Sequence, residues 1–241
     1  MRRSLQLLLL LLLIGSLGGC LVRGRGGNGG GGGDDDDSAA GDDDDDDDSV
    51  GDDDDSVPSF QGGFPANPNL DEEDCSSNFS GVASVGSELP CAPFTTQYGE
   101  QYNLWHMKDN ADYLVIDVAA VWCGPCNAMA QWLEGCDNCY FDAQAAPARQ
   151  AVWDGDVIWA TALFQDVSGN PADLTDAAQW DSTYPGAGAL VLVLVDDLSE
   201  LAGWVNPPGI PSLTLVDLST MQVVIADDTG GVVSYLVNQY N

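Results

Sequence analysis

Basic residues are scarce in this sequence. Its 241 residues contain six Lys and Arg against 39 Asp and Glu, which gives a formal net charge of −33. A protein that binds nucleic acid needs a basic face for the phosphates, so this composition excludes nucleic acid as a partner. Histidine is nearly absent as well, since His106 is the only one. That excludes multi-histidine metal sites and argues against a hydrolase built on a Ser–His or Cys–His pair. We interpret His106, next to Trp105, as a packing residue.

The N-terminus has the features of an export signal. Arg2 and Arg3 precede an apolar run over residues 5–14, interrupted only by Gln6, and small residues follow. This pattern predicts a secretory signal peptide over residues 1–19. The apolar run is shorter than the roughly 20 residues of a membrane-spanning helix. The tetrapeptide Leu-Gly-Gly-Cys that ends at Cys20 resembles a bacterial lipobox, which implies that Cys20 is lipidated. We therefore expect an exported protein, lipid-anchored to a membrane of the bacterial cell envelope on the periplasmic or surface side, where disulfides persist.

The segment after the lipid anchor, residues 20–75, is predicted to be a disordered linker. Glycine dominates residues 24–33, and runs of aspartate follow at 34–37, 42–48 and 52–55. Glycine is flexible and the aspartates repel one another, so such a chain stays extended. Calcium binding is an alternative, but the runs lack the spaced ligands and the closing Glu of a preformed calcium loop. We interpret the segment as a solvated spacer.

The remaining residues, 76–241, are predicted to form one folded domain that contains all seven Trp. Apolar runs and helix signals alternate along it, ending in two strands and a helix, and this order predicts an α/β sandwich with a mixed sheet. We predict a β-hairpin at 94–104, strands at 113–119, 157–163, 190–195, 213–216 and 223–226, and helices at 123–134, 172–180, 198–204 and 232–239.

Cys123 and Cys126 form a C-x-x-C pair that follows a buried strand and opens a helix. At a helix N-terminus, unpaired N–H groups and the helix dipole stabilise a thiolate, the species that attacks a disulfide. Cys126 lies on the same side of the helix and can close a disulfide with Cys123. Pro125 suits the first turn. Asp117 is a carboxylate inside the apolar strand, which costs free energy unless it has a function. We expect it to manage the proton of Cys126.

The cysteine pair and its flanks resemble the active site of the thioredoxin family. Trp122 precedes the pair, Gly124 and Pro125 separate the cysteines, and Asp117 lies on the strand before them. The resemblance implies catalytic roles for the two cysteines and Asp117. It implies a role in shaping the site or binding substrate for Trp122, Gly124 and Pro125.

A distant segment extends this resemblance. Ile210 and Pro211, within Gly-Ile-Pro-Ser and before an apolar strand, are similar to the family's cis-proline loop. This implies that Pro211 shapes the site and that the backbone of Ile210 contacts the substrate. The hairpin at 94–104 is more similar to the TlpA/ResA branch, whose members are exported or membrane-tethered. Over residues 92–241 the resemblance implies a thioredoxin-like three-layer sandwich with a mixed central sheet and an N-terminal β-hairpin extension.

The function implied by the resemblance is that of a thiol–disulfide oxidoreductase for protein disulfides outside the cytoplasm. Its redox centre would be the Cys123–Cys126 disulfide, with no other cofactor. The Gly-Pro dipeptide between the cysteines favours a reductant, since thioredoxin, which has the same pair, is strongly reducing. Reduction outside the cytoplasm requires an electron source, for which we expect a thiol donor in the membrane.

Two other functions stay open at this point. The four cysteines from Cys123 to Cys139 form a C-x2-C-x9-C-x2-C pattern that could suit tetrahedral zinc. An intervening helix, however, would hold the two pairs about 15 Å apart. We therefore expect no metal. The alternative is a binding or structural lipoprotein that uses the thioredoxin fold as a scaffold without catalysis.

Cys75, Cys91, Cys136 and Cys139 allow three pairings that the sequence does not separate. We favour structural disulfides between Cys75 and Cys91 and between Cys136 and Cys139. A second redox pair at Cys136 and Cys139 is the alternative.

Overall fold

A computed structural model of the chain describes residues 60–70 and 79–241. The chain divides into two units, Met1–Asp52 and Asp53–Asn241, and all the described residues belong to the second. The predicted signal peptide, Cys20, the aspartate runs and Cys75 lie outside the described residues. Among those that are described, no helix has both the length and the apolar character needed to cross a membrane.

The centre of the domain is a sheet of seven strands. The strands are β1 (Pro93–Thr96), β2 (Gln101–Asn103), β3 (Tyr113–Ala120), β4 (Val157–Gln165), β5 (Val191–Val195), β6 (Ser212–Asp217) and β7 (Gln222–Ile225). Across the sheet they lie in the order β2-β1-β5-β4-β3-β6-β7. The central strands β5, β4 and β3 run parallel to one another, and the remaining neighbours pair antiparallel. The sheet is therefore mixed, as the sequence predicts.

Helices cover both faces of this sheet. The helices are α1 (Gly124–Leu133), α2 (Ala146–Asp154), α3 (Leu174–Thr183), α4 (Glu200–Val205) and α5 (Thr229–Tyr240). Trp132 of α1, Val152 of α2 and Leu236 of α5 share one apolar cluster with alternate residues of β3 and β4. Trp204 of α4 belongs to the cluster on the opposite face. The predicted three-layer sandwich with a mixed central sheet and an N-terminal hairpin, β1 and β2, is thus confirmed.

The helix that carries the cysteine pair begins and ends where its sequence dictates. Cys123 is the N-cap of α1, with extended backbone, and Pro125 occupies the first turn, where a missing N–H costs nothing. The helix ends at Leu133, and Gly135 follows with φ of +98°, a left-handed conformation that glycine adopts without strain. The helix therefore spans little more than the ten residues between these two signals.

One helix is absent from the sequence prediction. Helix α2 buries Ala148, Ala151 and Val152 and ends at Gly155 in the left-handed conformation. Its buried face is largely alanine, so the sequence there lacks the large apolar residues from which a helical period is recognised. Helix α5 also starts three residues earlier than predicted, because the Asp228 side chain caps it by accepting from the Gly231 N–H.

The sequence places residues 60–70 in the linker, whereas the structure packs them on the domain. Phe64 is only 4% exposed, and the Phe60 ring lies edge-on to Tyr102 with ring centroids 4.7 Å apart. The Tyr102 hydroxyl donates to the Pro65 carbonyl oxygen (2.8 Å), and the Asn67 N–H donates to His106 Nδ1 (3.2 Å). His106 is therefore part of the packing that holds this segment. The segment is ordered although its other residues are largely polar or small. The free energy gained by burying the rings of Phe60 and Phe64 outweighs the conformational entropy lost in ordering a short segment.

This packing predicts that Phe64→Ala in the full chain lowers the free energy of unfolding by about 3 kcal/mol, because a buried phenyl ring is removed. Denaturant unfolding measures the change. Val85→Ala is the control, since Val85 is 73% exposed, and it should stay within about 0.5 kcal/mol. Equal, small effects of the two substitutions would contradict the assignment of residues 60–70 to the folded domain.

Candidate functional site

The two cysteines of the C-x-x-C pair are bonded to each other at the start of α1, directly after β3. Cys123 and Cys126 form a disulfide with their Cα atoms 5.2 Å apart. Cys123 Sγ also accepts a hydrogen bond from the Cys126 N–H at 3.1 Å. The sulfur thus occupies the position of a capping oxygen, where the first helical N–H groups and the helix dipole favour negative charge. The arrangement provides a sulfur that is stabilised as a thiolate once the disulfide opens.

The turn that presents Cys123 is held by residues that the sequence did not single out. The Asn127 side-chain amide donates to the carbonyl oxygens of Cys123 (2.7 Å) and Val121 (3.1 Å). The Tyr184 hydroxyl donates in turn to Asn127 Oδ1 at 2.8 Å. These bonds anchor the backbone before α1 to the end of α3. The sequence positions of Asn127 and Tyr184 do not predict this contact, because the contact depends on how α3 packs.

The pair is accessible from one side only. Cys123 is 2% exposed and Cys126 is fully buried, whereas Trp122 is 50% exposed and Gly124 and Pro125 lie on the surface. The Trp122 indole N–H donates to Gln165 Oε1 at 2.9 Å, which fixes the ring at the end of β4. A partner must therefore approach Cys123 across Trp122, Gly124 and Pro125.

The structure brings the second predicted segment against the cysteine pair. The Ile210–Pro211 peptide bond is cis, and Cys123 Sγ lies 3.8 Å from the Ile210 carbonyl oxygen, although these residues are 87 positions apart in sequence. Pro211 is buried and Ile210 half-buried. The Thr229 hydroxyl donates to the Pro211 carbonyl oxygen at 3.1 Å, so the first turn of α5 supports the loop.

Asp117 lies on the face of β3 that α1 covers. Its neighbours on that face are Val115, which clusters with Trp132 of α1, and Ala119, which clusters with Cys126. Asp117 is only 2% exposed, and Thr161 Oγ1 on the adjacent strand donates to its Oδ2 at 3.5 Å. Within the part of the chain that is described, Asp117 Oδ1 and the Trp159 indole nitrogen have no hydrogen-bond partner. The carboxyl group is therefore held beneath α1 with one oxygen unengaged.

Burial is the main influence on the ionisation of this carboxyl group. It raises the pKa of Asp117 from 3.8 to about 7, and the hydrogen bond from Thr161 lowers the pKa by less. A carboxylate is costly in a site that supplies so few donors. Burial thus holds the pKa of Asp117 well above that of an ordinary carboxyl group.

The remaining cysteines lie away from this site. Cys136 and Cys139 are bonded to each other in the loop after α1, with their Cα atoms 5.6 Å apart. Cys91 accepts from the Asn103 side-chain amide at 3.1 Å, and its predicted partner Cys75 is outside the described residues. The two C-x-x-C disulfides lie at opposite ends of α1, about 15 Å apart at 1.5 Å per residue. Four cysteines that bind one zinc ion each place their sulfur about 2.3 Å from the metal, which this separation does not allow. In residues 60–70 and 79–241, no group of three or more His, Cys, Asp or Glu could hold a metal ion.

Comparison with known proteins adds a likeness of fold. No protein-family model matches the chain, and no curated protein is similar to it. The thioredoxin domain of a thiol–disulfide oxidoreductase from Bacteroides vulgatus is similar at 15% identity, covering 66% of this chain and 100% of that one, with a TM-score of 0.47. A thiol:disulfide interchange protein from a Bacteroides species is similar at 16% identity over 65% and 91% of the two chains, with a TM-score of 0.44. A conserved protein of unknown function from Bacteroides fragilis is similar at 15% identity, covering 64% of this chain and 99% of that one, with a TM-score of 0.48. At these values the likeness carries no information on activity.

The raised pKa of Asp117 predicts a pH-dependent gain in stability for Asp117→Asn. Wild-type Asp117 favours the folded state most when protonated, below about pH 4, and this contribution is lost as the pH rises through about 7. The variant has no such loss, so above pH 7 its free energy of unfolding should exceed that of the wild type by about 1 to 4 kcal/mol. Denaturant unfolding of the oxidised proteins between pH 4 and 8.5 measures the difference.

The matched control is Asp197→Asn, because Asp197 is an exposed carboxylate near the start of α4. Its unfolding free energy should follow that of the wild type at every pH. A difference between Asp117→Asn and wild type that does not grow with pH would contradict the raised pKa.

Proposed function

We propose that this protein is a thiol–disulfide oxidoreductase that reduces protein disulfides outside the cytoplasm. One observation carries the proposal: a Cys123–Cys126 disulfide caps the N-terminus of α1 and lies against the cis Ile210–Pro211 peptide. A structural disulfide needs neither a helix N-terminus beneath its first sulfur nor a buried carboxyl group on the adjoining strand. Both features serve a sulfur that must become a thiolate.

The first step is the attack by Cys123. In the reduced protein the Cys126 N–H and the other free N–H groups of the first turn of α1 stabilise the Cys123 thiolate. The thiolate attacks one sulfur of a substrate disulfide; the substrate S–S bond breaks, and its second sulfur leaves as a thiolate that takes up a proton. The product is a mixed disulfide between Cys123 and the substrate.

Cys126 completes the exchange. Its thiol loses a proton, and the resulting thiolate displaces the substrate from Cys123, so that the Cys123–Cys126 disulfide forms and the substrate leaves with both sulfurs reduced. Asp117 is the group suited to take that proton. It lies beneath α1 on the same face of β3 as Ala119, which packs in one apolar cluster with Cys126, and its pKa is raised to about 7.

The substrate approaches along the exposed side of the pair. Trp122 offers an apolar surface, Gly124 and Pro125 leave room beside the sulfur, and the half-buried Ile210 lies across from them. An extended polypeptide fits this setting, with backbone contacts at Ile210 and its disulfide directed at Cys123. This is the contact that the resemblance to the thioredoxin family implies for the residue before the cis proline.

Location and direction rest on the sequence. The signal peptide at 1–19 and the lipobox cysteine Cys20 favour an exported protein tethered to a membrane by lipid, with the residues that follow as a spacer. The Gly-Pro dipeptide favours reduction, as in thioredoxin with its potential of about −270 mV. A protein that reduces disulfides there must be reduced again, and a membrane protein with a thiol pair is the class of donor that fits.

The mechanism predicts that Cys126→Ser accumulates mixed disulfides. The reduced variant should attack a disulfide protein such as insulin and stop at the adduct, because the resolving thiol is missing. Non-reducing electrophoresis and mass spectrometry detect the product. Cys123→Ser should slow insulin reduction by about a hundredfold or more.

The matched control combines both substitutions, Cys123→Ser with Cys126→Ser, and it should form no adduct at this site. Wild-type rates of insulin reduction by Cys123→Ser would exclude the proposed enzyme.

The competing function is a binding or structural lipoprotein with an unreactive cysteine pair. It predicts an ordinary thiol at Cys123 with a pKa near 8.5. The proposed enzyme predicts that the rate of Cys123 alkylation by iodoacetamide rises with a midpoint clearly below pH 8.5, because the capping position favours the thiolate. The measurement uses the reduced full chain, with the modified peptide identified by mass. A midpoint at or above 8.5 would favour the binding protein.

A further inference from the structure

We propose that the Cys136–Cys139 disulfide is a second thiol–disulfide exchange site, which a dithiol partner reduces independently of Cys123–Cys126. It repeats the C-x-x-C spacing of the first pair and lies at the opposite end of the same helix, in the loop that follows α1. The proposal concerns this second disulfide alone and does not require the first pair to be catalytic.

The second disulfide is less buried than the first. Cys136 and Cys139 are both half-buried, whereas the cysteines of the first pair are buried. Asp137 and Asn138 between them are exposed, and Tyr140 directly after them is 36% exposed. Access of the attacking thiolate to a sulfur is a condition for exchange. The exposed ring of Tyr140 beside the pair provides an apolar contact for a partner, as Trp122 does at the first site.

The loop around this disulfide is held by contacts that do not involve the sulfurs. Arg149 of α2 donates to Asp137 Oδ1 (2.8 Å) and to the Trp132 carbonyl oxygen (3.1 Å). The guanidinium also lies over the Trp132 and Trp153 rings, 5.7 and 5.0 Å from their centroids. Because Arg149 ties the loop to α1 and α2, opening the disulfide leaves the loop in place.

Backbone bonds and packing reinforce the same loop. The Cys136 N–H donates to the Gln131 carbonyl oxygen at the end of α1, and the Asn138 N–H donates to the Phe141 carbonyl oxygen, both at 3.1 Å. The Phe141 ring packs against Trp132 with centroids 5.0 Å apart. A structural cross-link contributes most where it closes a long loop or holds otherwise loose chain. This one spans three positions in a loop already anchored, so a structural role explains it poorly.

A cation is bound to the loop that carries the pair. Arg149 is 7% exposed and is one of only two Lys and Arg residues in the described part of the chain, the other being Lys108. It reaches the loop through Asp137, the residue directly after Cys136, and a cation near a cysteine favours its thiolate. Asp137 offsets part of this charge, so the stabilisation is weaker than the one the N-terminus of α1 gives to Cys123.

The second site must act on a partner of its own. Exchange requires sulfur to meet sulfur, and the two disulfides are separated by the length of α1, about 15 Å. In the reaction, one partner thiolate attacks a sulfur of the Cys136–Cys139 bond, which breaks to give a mixed disulfide and a cysteine thiolate that takes up a proton. The second partner thiol, after losing its proton, displaces the remaining cysteine. The partner becomes a disulfide, and Cys136 and Cys139 have gained two electrons and two protons.

The test measures reduction of each pair in the folded full chain with dithiothreitol as the dithiol. Cys123→Ser with Cys126→Ser isolates the second pair, and Cys136→Ser with Cys139→Ser isolates the first. Each variant is equilibrated over a series of ratios of reduced to oxidised dithiothreitol, trapped by alkylation and quantified by mass. The second pair should be half reduced at a ratio within about a hundredfold of that for the first. Circular dichroism should show that the fold is retained.

A second pair that needs a ratio more than about a hundredfold higher, or that is reduced only when the domain unfolds, is structural and overturns the proposal. If either double variant fails to fold, the same titration on the unsubstituted chain separates the two pairs, because cleavage after Trp132 or Glu134 puts their cysteines in different peptides. The outcome for the second pair is read independently of insulin reduction, so failure of the proposed function leaves this test intact.

Discussion

The site depends on the junction between β3 and α1. Strand β3 is bonded on one side to β4 and on the other to β6, and every residue after Tyr113 is buried, so the end of the strand cannot shift. The chain turns there into a helix whose first free N–H groups must point at whatever residue caps it. The capping residue is Cys123. The position of the sulfur and its contact with the first N–H groups of α1 therefore follow from one constraint.

Other contacts at the site hold what surrounds that sulfur. Asn127 and Tyr184 fasten the turn to α3, Gln165 orients Trp122, and Thr229 supports the cis-proline loop. They come from different elements that all reach the edge of the sheet where the parallel strands end. This is the edge at which crossover connections leave the sheet and at which α/β folds place their reactive groups. The buried Asp117 is the one costly member of the set, and its burial raises the pKa of its carboxyl group to about 7.

Part of the acidic character of the domain comes from aspartates that cap helices at this same edge of the sheet. Asp173, Asp196 and Asp228 each accept backbone N–H groups at the start of a helix, α3, α4 and α5 respectively. A carboxylate at a helix N-terminus is favoured by the helix dipole, so these acids stabilise the elements that frame the site. The two described cations lie at the opposite edge: Lys108 precedes β3, and Arg149 bonds to the carbonyl of Trp132 near the end of α1. In the described residues, the edge that carries Cys123 therefore holds acids but no lysine or arginine.

The sequence by itself determined the α/β order, the C-x-x-C pair at a helix start and the exceptional Asp117, because each depends on local pattern: period, capping residues and a charge inside an apolar strand. Tertiary structure decided the rest. Helix α2 is not recognised from its sequence because its buried face is largely alanine. Residues 60–70 belong to the domain because the rings of Phe60 and Phe64 pack against Tyr102. Asn127, Gln165 and Tyr184 reach the site through contacts between distant elements. The pairing of Cys136 with Cys139 was likewise decided by the structure, since the sequence allows three pairings of the four cysteines outside the first pair.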